Sequence, residues 1–251
     1  MANVADTPSK DFQDFQFYSH PQHQQDQWVI SEVFPGKRDG FFIDAGAGPN
    51  GIKYSNSYAL EKQLGWNGIC IEPNPNRYQK VQHNRSCYVE PVALWDESTE
   101  LQFNLNLDIP GTSGVVEEMS QSHRRLYYGD QVRCQDITVK AIPLSDLLKK
   151  YNAPQFINYL SMDIEGAEYR ALRNFPFDEY RFGCMTIEKG SKHLQKLRQL
   201  LLSQGYKLVK VKGADDYWVH SSLDYHLPLR TRLGVTMRQW VQRIRALRAW
   251  R

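Results

Sequence analysis

The sequence predicts an α/β protein of the doubly wound kind: a Rossmann-like, seven-stranded, mostly parallel sheet with an antiparallel last strand and helices on both faces. Three observations carry this. Short apolar runs such as GFFIDA, NGICIE and FINYLSMD alternate with helix-period segments, which is the pattern of buried parallel strands joined by helices. Glycines 46, 48 and 51 follow the first run directly, the expected place for a ligand loop at a strand's carboxyl end. The chain then closes on YKLVKVKGADDYWVH, two strands about a GADD turn.

In chain order, residues 1 to 24 are rich in Gln, Asp and aromatics without a clear period and read as an arm, followed by a helix near residues 25 to 34 that Pro35-Gly36 ends. Residues 1–34 are thus an N-terminal arm and helix, and 35–220 form the main domain. Strand 40–45 leads through the glycine loop to a helix over about 53–64. Strand 67–72 leads to a helix opened by NPNRYQKVQHN. CYVEPVAL (87–94) reads as a third strand and ELQFNLN (100–106) as a strand added beyond it.

Residues 108–130 are loop-like, and a loop of that length in a compact domain is generally functional. Its His123, Arg124, Arg125, Tyr127 and Tyr128 suit a cover over a sugar or an anionic acceptor, or simply a solvated connection. Strand 133–142, a short helix with Pro143 near its first turn, strand 156–163, a helix from EGAEYRALRNF and strand 181–188 follow. KHLQKLRQLLLSQG is a helix with Gly205 as its stop.

Composition narrows the class. The 251 residues, 41% of them hydrophobic, suffice for one large domain with a real core. The N-terminus lacks the basic start and apolar stretch of a secretory signal, so a soluble cytoplasmic protein is expected. Cysteines 70, 87, 134 and 184 show no metal or disulfide spacing. The net charge of +3 is uneven: seven arginines and no acid lie between Arg230 and Arg251, which leaves residues 1–229 at −4 once those seven are set aside.

Within 221–251, Met237, Trp240, Val241, Ile244 and Leu247 fall at helical spacing, with Arg238, Arg243 and Arg245 off that stripe. Such a tail can dock on the body, mediate homo-oligomerisation or lie on an anionic membrane surface. Nucleic acid is not expected as a partner, because the basic charge is confined to this tail.

Gly46-x-Gly48-x-x-Gly51 matches the dinucleotide fingerprint, and Glu72 follows Gly51 at near the spacing of a ribose-binding acid. The pattern suits any adenosyl ligand, NAD included. Asp44, two residues before Gly46, would oppose a pyrophosphate but suit the ammonium and sulfonium of S-adenosyl-L-methionine; an N-cap or Asx-turn role is its other reading. LSMDIEGAE adds Asp163 at a strand end, with Glu165 and Glu168 beyond it, where acids also favour a helix dipole.

FFIDAGAGPNGIKYSNSYALEKQLGWNGICIEPNP, LSMDIEGAEYRAL and FGCMTIEKG, with YSHPQHQQDQWVISEVFPGK upstream, resemble the FkbM-type S-adenosylmethionine-dependent methyltransferases over roughly residues 18–220. The resemblance implies a class I methyltransferase fold and methyl transfer to a hydroxyl of a sugar, glycan or polyketide-like small molecule. It places Asp44, Gly46 and Gly48 about the methionine part, Glu72 at the ribose and Asp163 where the methyl group meets the acceptor, with Asn50, Gly51, Pro73 and Asp163 also counted among the cofactor-binding residues. The sequence departs from the family at Pro49-Asn50 and at Lys189-Gly190.

Asp163 is the first choice for a base or base-partner and His193 the second. Asp163 with Glu188, both at strand ends, offers carboxylates for a divalent cation such as Mg or Mn. A non-catalytic binding module of the same fold, or an NAD-dependent oxidoreductase, are the competing readings.

Overall fold

The computed structural model describes residues 15–20, 23–119 and 132–225. The basic tail's stripe and loop residues His123, Arg124, Arg125, Tyr127 and Tyr128 lie outside the described residues.

The main sheet contains β1 (Phe41–Ala45), β2 (Asn67–Ile71), β3 (Tyr88–Glu90), β8 (Phe156–Met162), β9 (Arg181–Glu188), β10 (Tyr206–Lys212) and β11 (Asp215–His220), in the order β10-β11-β9-β8-β1-β2-β3. Pairings β1·β2, β1·β8, β2·β3 and β8·β9 are parallel, and β11 is antiparallel to both β9 and β10. The order reverses between β1 and β8, so a crevice opens there above the strand carboxyl ends.

Alternation along the strands sends residues to two cores. Ile43, Ala45, Ile69 and Ile71 join Leu147 and Leu148 of α4 (Leu144–Lys150), Leu172 of α5 (Glu168–Leu172) and Leu197 and Leu201 of α6 (Leu194–Ser203). Phe42 and Cys70 face the other way, onto Trp28 of α1 (Gln25–Trp28, continued by a π turn over Val29–Val33), Leu60 and Leu64 of α2 (Tyr58–Leu64) and Val81 of α3 (Pro75–Asn84). Helices therefore cover both faces, as expected of strands that are apolar on both sides.

The structure corrects several boundaries. The expected third strand, 87–94, breaks at Pro91 into β3 of the main sheet and β4 (Ala93–Leu94), because proline has no N–H to continue the ladder. β4 starts a second, four-stranded sheet, β4-β7-β5-β6, with β5 (Thr99–Asn106), β6 (Gly114–Val115) and β7 (Cys134–Ile142). ELQFNLN and RCQDITVKAI thus pair antiparallel with each other and do not extend the main sheet.

The helix expected from about 53 begins only at Tyr58. Asn50 Oδ1 accepts from the Ile52 and Lys53 amides, Tyr54 is left-handed (φ 62°), and Ser55 Oγ takes the Ser57 and Tyr58 amides. The helix expected over EGAEYRALRNF shrinks to α5, because Glu165 (φ 57°) and Gly166 (φ 110°) are both left-handed. No helix among the described residues is long and apolar enough to cross a membrane.

Candidate active site

Strand register builds the site. Ile71, Ala45, Met162 and Ile187 are cross-strand partners on β2, β1, β8 and β9. The next residue of each strand is Glu72, Gly46, Asp163 and Glu188, and Glu188 is partnered in turn by Asp215 on β11. Four acids and a glycine therefore stand in one row over the carboxyl edge of the sheet.

A cleft of about 480 Å3 opens on this row, walled by Gly46, Glu72, Pro73, Arg77, Asp163 and Glu165 on the polar side and by Ile71, Val92, Leu94, Phe103 and Val115 on the apolar side. The second sheet contributes much of the apolar wall. Gly46 is required twice over: its φ is 83°, and a Cβ there would lie 2.0 Å from the Asp163 carbonyl oxygen.

Glu72 is buried, and its Oε1 accepts from the Asn74 amide at 3.0 Å. Among the described residues its Oε2 has no hydrogen-bond partner, with the Arg77 guanidinium 3.7 Å away. Burial pushes its carboxyl up to about 7, against the pull of Arg77 and the Asn74 amide. Arg77 Nε is likewise buried without a hydrogen-bond partner among the described residues. Two polar groups of opposite charge thus face the cleft with bonding capacity to spare, which favours a polar ligand there.

At the other end stand Asp163, Glu165 and Glu188, whose carboxylate oxygens lie within 4.8 Å of one another. The sequence offered only Asp163 and Glu188 as ligands; the left-handed turn at Glu165 supplies the third. Asp163 remains open to solvent through the cleft. Its carboxyl is pushed up to about 6 by the protein crowded around it and by the Asp215 charge, while a hydrogen bond from Glu188 opposes the rise. Burial and the neighbouring acids raise Glu165 to about 9 and Glu188 well above the usual range.

Several predicted residues are placed elsewhere. Asp44 does not face the cleft. Alternation along β1 turns it, like Phe42, to the opposite face, where Oδ2 accepts from Ser57 Oγ (2.5 Å) and Ser55 Oγ (3.3 Å), and Arg85 lies 3.8 Å away. Its carboxyl is pushed up by burial, with Arg85 and the two serines opposing. Gly48, Asn50 and Gly51 are also absent from the cleft wall. Gly48 turns beneath the Lys53 carbonyl, Asn50 closes an Asx turn, and Gly51 packs on Val81 and Arg85 of the α3 region.

Glu168 is fully buried and accepts from the Ile164 and Gly166 amides, so it holds the turn that carries Asp163 and Glu165. His193 occupies the N-cap position of α6 without a side-chain capping bond, with its ring beside Tyr169 and Nε2 3.7 Å from Glu118, and it does not line the cleft. Of the predicted site residues, Gly46, Glu72, Pro73 and Asp163 share the cleft wall, and Glu188 joins Asp163.

Sequence reasoning passed over Arg77, Arg85, His23 and Asp215. Arg77 had a usable signal, one turn past the Glu72-Pro73 end of β2. His23 and Asp215 had none, since they are 192 residues apart.

The structure is thus an α/β fold with a cleft at the switch point and a sheet closed by an antiparallel hairpin. Residues 44–208 match the Methyltransferase FkbM domain, well over half of the chain, and the protein belongs to the FkbM methyltransferase family. No curated protein matches the chain.

Proposed function

We propose that the protein transfers the methyl group of S-adenosyl-L-methionine to a hydroxyl oxygen of a small molecule, with a sugar or other polyol as the acceptor class. The observation that carries this reading is the partnerless Oε2 of Glu72, buried in the same cleft that ends at Asp163. A carboxylate so placed accepts hydrogen bonds from the two hydroxyls of a ribose. The apolar wall of Ile71, Val92 and Leu94 suits a flat purine.

The backbone at the glycine loop argues against a dinucleotide. Gly51 is left-handed and α2 starts only at Tyr58, so the glycine loop does not open directly into a helix N-terminus that could hold a pyrophosphate. The same features count against the NAD reading.

When bound, the sulfonium supplies a methyl group activated for in-line displacement. The protein's part is alignment, which is worth on the order of 7–11 kcal/mol in well-oriented reactions. Asp163 accepts a hydrogen bond from the attacking hydroxyl and fixes its direction. Gly46 lets the cofactor loop lie against the Asp163 backbone.

The Asp163, Glu165 and Glu188 trio favours a second form of the same reading, in which a divalent cation such as Mg or Mn replaces the protons and lowers the acceptor's pKa. Calorimetry with S-adenosylhomocysteine and NAD, followed by transfer of labelled methyl to a panel of methyl glycosides and polyols, tests the main reading. Preferential NAD binding would overturn it. Undiminished transfer in excess chelator would remove the cation.

A further inference from the structure

Behind the glycine loop the core holds two nucleophilic groups that the cleft does not use. Cys70 Sγ and Cys87 Sγ lie 3.5 Å apart, in thiol–thiol hydrogen-bond contact. Strand pairing makes this contact: β2 and β3 run parallel with Cys70 opposite Val89, and Cys87, two residues before Val89, packs against the same core to which Cys70 belongs. The other two cysteines are placed differently. Cys184 is buried and donates to the Asn158 carbonyl, and Cys134 is exposed.

We propose that Cys70 and Cys87 form a redox modification site, which takes hydrogen peroxide or another hydroperoxide and closes to a disulfide that a thiol reductant reopens. The inference is independent of the methyl-transfer reading.

Access divides the work between the two sulfurs. Cys70 is 0% exposed and Cys87 is half-buried, so a small oxidant meets Cys87 first. Burial pushes the Cys70 thiol well up, with Cys87 adding to the rise and Arg85 opposing it, so Cys70 keeps its proton until its neighbour has been oxidised.

Closure needs little movement. Bonded sulfurs stand about 2.05 Å apart, so the pair must approach by about 1.5 Å. Cys87 lies in the bend between α3 and β3, one residue before the ladder that fixes Cys70, and can supply that approach.

The chemistry balances. Cys87 sulfur attacks one peroxide oxygen and the O–O bond breaks, giving a sulfenic acid and, with the thiol proton, one water. Cys70 sulfur then attacks the sulfenic sulfur and the S–O bond breaks, and the departing hydroxide takes the Cys70 proton as a second water. Two thiols are oxidised by two electrons, and the peroxide takes both.

The test uses the full chain carrying Cys134→Ser, which leaves three of the four cysteines. Reduced protein is treated with one equivalent of hydrogen peroxide, denatured, alkylated with iodoacetamide and weighed by mass spectrometry. Three alkylations are expected before peroxide and one after, with a digest peptide joining Cys70 to Cys87 and a return to three after dithiothreitol. Three alkylations after peroxide, a sulfinic acid at Cys87 with Cys70 still alkylated, or a disulfide between two chains overturns the proposal.

Cys87→Ser in the same background changes a half-buried side chain for one of similar size. Two alkylations with and without peroxide are expected there, and a fall to none would mean that Cys70 pairs with Cys184, which overturns the assignment of Cys87.

Discussion

Two groups of acidic side chains flank the glycine loop, and they differ in how their charge is met. Behind the loop, Glu61 accepts from Arg85 Nε (2.6 Å) and from the Ser86 amide (2.8 Å), while the same guanidinium reaches Ser55, Ser57 and the Gly51 carbonyl. The Glu61 carboxyl is held at about 2: burial alone would raise it, and Arg85, Lys62 and the Ser86 amide together outweigh burial. In front of the loop, Glu72 Oε2 has no hydrogen-bond partner among the described residues and only the Arg77 guanidinium 3.7 Å away, and the carboxyls of Glu72 and Asp163 rise to about 7 and about 6. An acid whose partner is built in holds the fold. An acid without one stores bonding capacity for a ligand, and stability is lost to keep it.

The comparison breaks most sharply at Arg85. Arg85→Met leaves Glu61 and Asp44 buried without their cation, and loss of one partner from such a pair costs about 3–5 kcal/mol. Urea unfolding should show that loss; a change below about 1 kcal/mol would mean the network behind the loop does not hold it.

Glu72→Gln tests the other side. It removes a carboxylate whose burial outweighs what Arg77 and the Asn74 amide give back, so the melting temperature should stay level or rise, while S-adenosylhomocysteine affinity falls about tenfold or more by calorimetry. Unchanged affinity would detach Glu72 from the ligand.

The smallest effect is the pH dependence of the apo protein. Glu72, Asp163, Glu165 and Glu168 all have folded pKa values above their ordinary ones, so the folded chain binds the extra protons. That contribution is complete below the unfolded values and is lost as pH rises through the folded ones, from about 6 to about 9. Glu61 has the opposite sign: its contribution is present above the ordinary value of 4.5 and is lost as pH falls toward about 2. Scanning fluorimetry should therefore give a higher melting temperature near pH 6 than near pH 9, and Glu165→Gln should flatten the upper part of that slope. A slope of the reverse sign would contradict the acid cluster as described.

The same contrast explains what was legible in the chain. Glu72, Gly46 and Asp163 each end a short apolar run, and parallel strands in register bring such ends together whatever the loops between them do. Asp44 read as a cofactor residue because it too adjoins the glycine loop. It lies one step earlier on β1, and the two-residue period of a strand turned it to the other face. Glu165 read as a helix acid because a left-handed turn at a glutamate leaves no pattern in composition.

By itself, then, the sequence determined the run of strands and helices, the glycine loop, the acids at the strand ends and the family they resemble, since these depend on local periodicity and backbone freedom. Only the tertiary structure decided that Arg85 takes up the charge behind the loop, that strands 99–106 and 134–142 form a separate sheet walling the cleft, and that His23 meets Asp215. Ion pairs and second-sheet pairings join residues far apart in the chain, and that meeting depends on how every element between them packs.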